Sequence, residues 1–266
     1  DTKAISQRAQ QTSQRGVTTT TMGVGTDYNE DLMTALADHA GGNYYFIQDS
    51  KQVANVFKEE LRKMFATVAQ NTVVELTLED GVDLKELFGY TFTRQDDKVT
   101  VALSDIFGGQ RRSILLALEV PVLREGVTSV SQVALRFDDV NAGLKHKNAQ
   151  ASVQVTVTKD QTLVEKTRNH SVEERVGEVQ VAQAVEKAAD YLKEGNYEQA
   201  KRVLRNQRVQ TANRAKGMGG SARLDKQLKA LERLESDFEA AEEAPASAPA
   251  RAAVKKAKAG ARQLKR

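Results

Sequence analysis

The 266-residue chain contains no cysteine and no tryptophan, only three prolines, and no long apolar run. Lack of cysteine excludes disulfides and cysteine-ligated zinc within this chain. Six tyrosines and eight phenylalanines are the whole aromatic complement, which fits a modest core. No apolar stretch approaches the ~20 residues of a membrane-spanning helix. An excess of one charge is also missing. Against 39 basic side chains stand 36 acidic ones, a net charge of +3, so the chain as a whole lacks the footprint of a nucleic-acid binder. His39, His146 and His170 lie in three different segments without ligand spacing and read as surface residues. Gly-x-Ser-x-Gly is absent, and Gly23-x-Gly25 lacks the third glycine of a dinucleotide loop. No constellation points to an enzyme.

What is present falls into successive regimes. Residues 1–15 suit a polar-faced helix with Ala4, Ile5 and Ala9 inward, ended by Gly16. Val17–Met22 is an uncharged β-branched run, expected to be a strand covered on both faces, and Gly23-Val24-Gly25 ends it. Thr26 or Asp27 can cap a following helix with Leu32, Met33, Leu36 and Ala37 on one side. Gly41-Gly42 stops that helix, and Tyr44–Ile47 is a second apolar strand. Ser50 then opens a helix carrying Val53, Val56, Phe57 and Leu61. Strand–helix–strand–helix is the grammar of a parallel sheet with helices packed on it.

Beyond Asn71 the period becomes two. Val73–Leu78, Val99–Leu103, Ser113–Val120, Ser131–Phe137 and Ala151–Thr158 alternate, with turn signals between them, and predict an antiparallel β-sandwich of about seven strands. Leu78-Glu79-Asp80-Gly81 reads as a β-turn. From residue 171 the period is helical. Tyr191, Gly195-Asn196-Tyr197, Ala200 and Leu204 resemble one tetratricopeptide-like hairpin, in which glycine turns the chain and alanine permits close approach. Ser221 caps a further helix through Leu224, Leu228, Leu231, Leu234 and Phe238. The last stretch, rich in Ala and Pro and then in Lys and Arg, is expected to be a disordered basic tail, solvated or touching anionic surfaces.

Thr20–Gly25, Asp27–Glu30, Leu32 with Leu36-Ala37, and Gly42–Ile47 together resemble the C-terminal third of a von Willebrand factor type A (VWA) domain. The likeness is to the bacterial calcium-activated-chloride-channel-like branch, related to inter-alpha-trypsin-inhibitor heavy chains. It covers about the first 68 residues, and a full domain of this type is two to three times as long. Gly81-Val82 and Gly89-Tyr90 match, more weakly, the β-sandwich that follows in bacterial relatives. The family's metal motif, Asp-x-Ser-x-Ser, is not found, so the domain is expected to be truncated before it or without it.

The expected architecture is therefore multidomain α+β. A partial doubly wound, VWA-like α/β piece (1–68) precedes the β-sandwich (69–160), a helical hairpin or bundle (171–240) and the disordered tail (241–266). The resemblance implies a non-enzymatic protein-interaction or adhesion role in the cell envelope or outside the cell. It also implies a protein partner and, in intact members, a bound Mg²⁺. No cofactor or metal site is expected in this chain itself. Asp27, Tyr28 and Asn29 form the candidate interaction loop, with Asp27 equally explicable as a helix cap. The alternative expectation is a structural scaffold subunit of a bacterial envelope assembly carrying a vestigial VWA domain.

Overall fold

A computed structural model describes residues 2–13, 17–121, 124–245 and 247–265. Gly16, read above as a helix stop, lies outside the described residues, as do Asp1, Ala246 and Arg266. The chain resolves into two compact units. One comprises Asp1–Met22, Asn29–Tyr45 and Lys51–Thr167; the other comprises Gly23–Tyr28, Phe46–Ser50 and Arg168–Arg266.

The chain opens with helix α1 (Thr2–Ser13), strand β1 (Thr19–Val24), helix α2 (Glu30–His39), strand β2 (Gly41–Ile47), a 3₁₀ turn and helix α3 (Val53–Phe65). β1 and β2 form a two-stranded sheet. The Thr19 amide donates to the Ala40 carbonyl (3.4 Å) and the Gly25 amide to the Ile47 carbonyl (3.0 Å). Starts thus lie beside starts and ends beside ends, so the pair is parallel. The expectation that β1 is covered on both faces is corrected. Burial alternates along it, and Val17 and Val24 are each about half exposed. Two strands offer too little surface to cover flanking helices. α3 shows the same shortfall. It forms at the expected place but buries no residue, and Phe57, Leu61, Met64 and Phe65 are exposed along it.

With only Ala66 between them, β3 (Thr67–Leu78) follows α3. Then come β4 (Asp83–Phe88), β5 (Phe92–Gln95), β6 (Lys98–Phe107), β7 (Leu115–Glu119), β8 (Gly126–Asp139) and β9 (Lys145–Val157). They form a five-stranded sheet in the order β5-β6-β3-β8-β9 and a two-stranded sheet β4-β7. Neighbouring strands in both sheets pair antiparallel. Val74 lies between Val101 and Leu135, and Leu76 between Val99 and Val133. This register puts alternate apolar residues on one face, where they share a cluster with Leu84 and Leu87 of β4. The Glu79–Gly81 segment is a turn, as read: the Val82 amide donates to the Glu79 carbonyl (3.0 Å). A short helix, α4 (Gln161–Lys166), ends this part of the chain.

The second unit carries α5 (His170–Lys193), α6 (Tyr197–Gly217), α7 (Ala222–Glu243) and α8 (Ala248–Lys265). Gly195 turns α5 into α6 at φ +79°, a backbone state that favours glycine. Ala200 and Leu204 are fully buried beside it, with Tyr191 and Tyr197 packed against the same core. Ser221 caps α7 by accepting from the Leu224 amide (3.2 Å).

The basic tail is the largest correction. Residues expected to be disordered form α8, whose Ala250, Ala253, Val254, Ala257 and Ala261 join the core with Val181, Leu231 and Phe238. Alanine is the best helix former, and this stripe recurs at helical spacing. The cations of α8 are also committed within the unit. Lys256 pairs with Asp237 (2.9 Å), Lys258 with Asp190 (2.9 Å), and Lys265 with Glu186. Arg175 donates to the Leu264 and Lys265 carbonyls at the α8 C-terminus, where a cation suits the helix dipole.

Candidate functional site

The candidate loop follows β1. Gly23 is buried within that strand, and a β-carbon there would sit 2.0 Å from the Tyr28 ring. Glycine at this position therefore lets the loop fold Tyr28 back over the strand. Gly25, at φ +74°, makes the turn.

The three loop residues do not act together. Asn29 is the N-cap of α2, its side chain accepting from the Leu32 amide at 3.0 Å. Asp27, read as an alternative cap, is not the cap. Its carboxylate is 88% exposed and lies 3.6 Å from the Arg251 guanidinium of α8. Tyr28 meets α8 as well. The Lys255 ammonium donates to the Tyr28 carbonyl (2.7 Å) and sits 3.9 Å from the centre of its ring. Lys255 is only 3% exposed, and the carbonyl and ring face supply the electron-rich contacts that a buried ammonium requires.

A polar cluster missed in the sequence lies on the first unit. Glu60 of α3 accepts from the Thr20 hydroxyl (2.8 Å), the Asn43 amide (3.2 Å) and the Tyr45 hydroxyl (2.7 Å), and pairs with Lys63 (2.8 Å). Lys63 also donates to the Tyr45 oxygen at 2.8 Å. Burial pushes the Glu60 carboxyl up, but hydrogen bonds from Lys63, Tyr45 and Thr20 outweigh it and leave the pKa below the ordinary glutamate value. Burial lowers Lys63, yet its bonds to Glu60 and Tyr45 prevail and hold it above the ordinary lysine value. Burial raises Tyr45. The network ties α3 to both strands of the parallel sheet. Its signals were Asn43 and Tyr45 on one side of β2 and Glu60 and Lys63 at i, i+3 on α3.

The histidines stay apart in role. His39 Nδ1 contacts the Ala35 carbonyl (2.7 Å), His146 pairs with Asp138, and His170 opens α5. Among the described residues no group of three or more histidine, aspartate or glutamate side chains could hold a metal ion. The loop itself offers one exposed carboxylate already facing a guanidinium. Among the described residues no helix is long and apolar enough to cross a membrane.

No family model matches the chain. It is 35% identical over 77 residues to the uncharacterized protein YfbK of Escherichia coli (strain K12), a match covering 29% of this chain and 13% of that protein. It is 26% identical over 137 residues to the uncharacterized protein sll0103 of Synechocystis sp., covering 48% of this chain and 33% of that one. The fold is similar to a solved von Willebrand factor type A protein from Catenulispora acidiphila. That likeness has a TM-score of 0.68 and 17% identity, and covers 88% of this chain and 53% of the other. The chain thus spans a third or less of these curated relatives and about half of the solved structure, and its fold is VWA-like.

Proposed function

We propose that this chain is a non-enzymatic protein-interaction module, of adhesion type, in which the loop Asp27–Asn29 beyond β1 contributes to partner binding. The observation that carries the proposal is the VWA-like fold over most of the chain, a fold whose strand-end loops suit ligand contact. The sequence resemblance points the same way and extends the proposal to the cell envelope or the exterior of the cell. In this reading the chain itself holds no Mg²⁺. Calorimetry with MgCl₂ should give no stoichiometric uptake; micromolar binding would overturn that part.

The principal test places a photoreactive residue at Asp27 of the full chain in an extract of the source cells. A discrete cross-linked protein, absent when the probe sits at exposed Asp80, is the expected result. No product above the Asp80 control would defeat the proposal.

One observation favours a second reading, a scaffold subunit whose α/β piece is vestigial or completed by another polypeptide. Phe57, Leu61, Met64 and Phe65 expose an apolar stripe on α3 of the kind that marks an interaction surface. That association would survive EDTA, whereas a metal-dependent adhesion complex would dissociate.

A further inference from the structure

The five-stranded sheet ends differently on its two sides. At one edge β5 has four residues, and its Arg94 is bound to Asp83 of β4 (3.1 Å), which ties that edge to the smaller sheet. At the other edge β9 has thirteen residues and pairs with β8 alone. Every residue from Lys145 to Thr156 is exposed, and among the described residues no second strand borders β9. The outward N–H and C=O groups of a long edge are left to water or to another strand.

Edges are ordinarily blunted by shortness, proline, a bulge or charge. β9 has little of this. It contains no proline, and the irregularity in its ladder comes from an extra residue, Val130, on the β8 side. Its lysines, Lys145 and Lys147, lie in the first three positions, and no ionisable side chain occurs from Asn148 to Thr158. Alternation is regular, with Ala149, Ala151, Val153 and Val155 on one side and Asn148, Gln150, Ser152 and Gln154 on the other. Ala151 and Ala149 stand opposite Val133 and Leu135 of β8, which pack on the apolar cluster of this sheet. Val153 and Val155 nevertheless remain 41% and 39% exposed.

This edge is complementary to itself. An antiparallel copy overlapping the whole strand puts the two-fold axis at Ala151, the midpoint of Lys145–Val157. Ala149 would then face Val153, Lys147 would face Val155, and Lys145 would face Val157. Apolar sides coincide and no lysine opposes a lysine. A parallel copy in register would set Lys145 beside Lys145 and Lys147 beside Lys147, so the charge placement selects the antiparallel pair.

We propose that β9 is a self-association edge, through which two copies of this chain join antiparallel about Ala151 into one continuous sheet. This goes beyond the partner role of the Asp27 loop and does not depend on it.

Sedimentation velocity on the full chain, from about 1 to about 100 µM, should show a reversible monomer–dimer equilibrium. Ala151→Lys and Ala151→Glu each set like charges opposite one another at the axis and should weaken the dimer at least about tenfold. The position is exposed, so circular dichroism should stay unchanged. Mixing the two variants should restore a dimer, a rescue that a misfolded chain could not give. A wild-type chain monomeric throughout, a dimer indifferent to both substitutions, or variants that do not pair on mixing would each overturn the proposal. Hydrogen exchange on the unaltered chain gives a second answer. Raising its concentration over the same range should slow exchange in 145–157 and leave 92–95 unchanged. A dimer formed through the apolar stripe of α3 would leave exchange in β9 unchanged and sink the proposal.

Discussion

The α/β piece and the helical unit solve the same problem in opposite ways. Helices α5 to α8 enclose a continuous core in which Leu204, Leu231 and Phe238 are essentially inaccessible. Helix α3 has a comparable apolar stripe and buries none of it, and what joins it to the strands is the charged and hydroxylated cluster around Glu60. The lesson is that amphipathic pattern makes a helix, but only a sufficient opposing surface makes a core. Where that surface is short, hydrogen bonds fix the geometry and the apolar side chains stay in solvent.

The comparison breaks most readily at Phe238. Phe238→Ala should cost about 3–5 kcal/mol in the helical unit. Phe65→Ala, at an 89% exposed position, should stay within about 0.5 kcal/mol. Urea unfolding followed by circular dichroism measures both, and equal costs would erase the difference between the two regions.

Next in size is Glu60→Ala, expected to cost about 2–4 kcal/mol, since it removes the carboxylate partner of Lys63 and leaves the Tyr45 and Thr20 hydroxyls without their acceptor. Exchange rates in β1 and β2 should rise while those in α5 to α7 do not. Glu60→Gln, which keeps an acceptor but loses the charge, should fall between.

The same cluster gives the α/β piece an acid sensitivity. Because the folded Glu60 carboxyl lies below its ordinary value of 4.5, its stabilisation is complete above that pH and is lost as pH falls through the folded value. Lys63, raised above 10.5, stabilises fully below that value and ceases to as pH rises through the folded one. Exchange in β1 and β2 should therefore loosen at the acid end, and Glu60→Gln should flatten that limb.

A smaller effect is expected at Gly195, where alanine must adopt φ near +79°, at a cost of about 1–2 kcal/mol. Smallest of all, Phe57→Ser with Met64→Ser should leave urea unfolding almost unchanged, since both side chains are exposed. A large loss of stability instead would show that the stripe on α3 is already covered.

Several elements were legible because their signals are local. The Gly195 turn, the Ser221 cap and the alternation of β3 and β6 depend on backbone preference and short periods. The cap of α2 was misassigned among neighbours: Thr26, Asp27 and Asn29 all suit the role, and only the chain's path selected Asn29. The tail was misread because lysine-rich, alanine-rich composition describes both a solvated coil and a helix whose stripe of small residues is buried elsewhere. The Glu60 network was invisible because its members are distant in sequence, as Thr20 and Glu60 show.

By itself the sequence determined the succession of periods, from helix–strand alternation through period-two strands to long helices, because each is written in residues a few positions apart. It also determined the resemblance carried by Thr20–Ile47. Tertiary structure alone decided which amphipathic faces found cover. It left α3 exposed, folded the basic tail into the helical core, and set Lys255 on Tyr28. Burial is a property of the opposing surface, and no stretch of sequence carries its partner's surface with it.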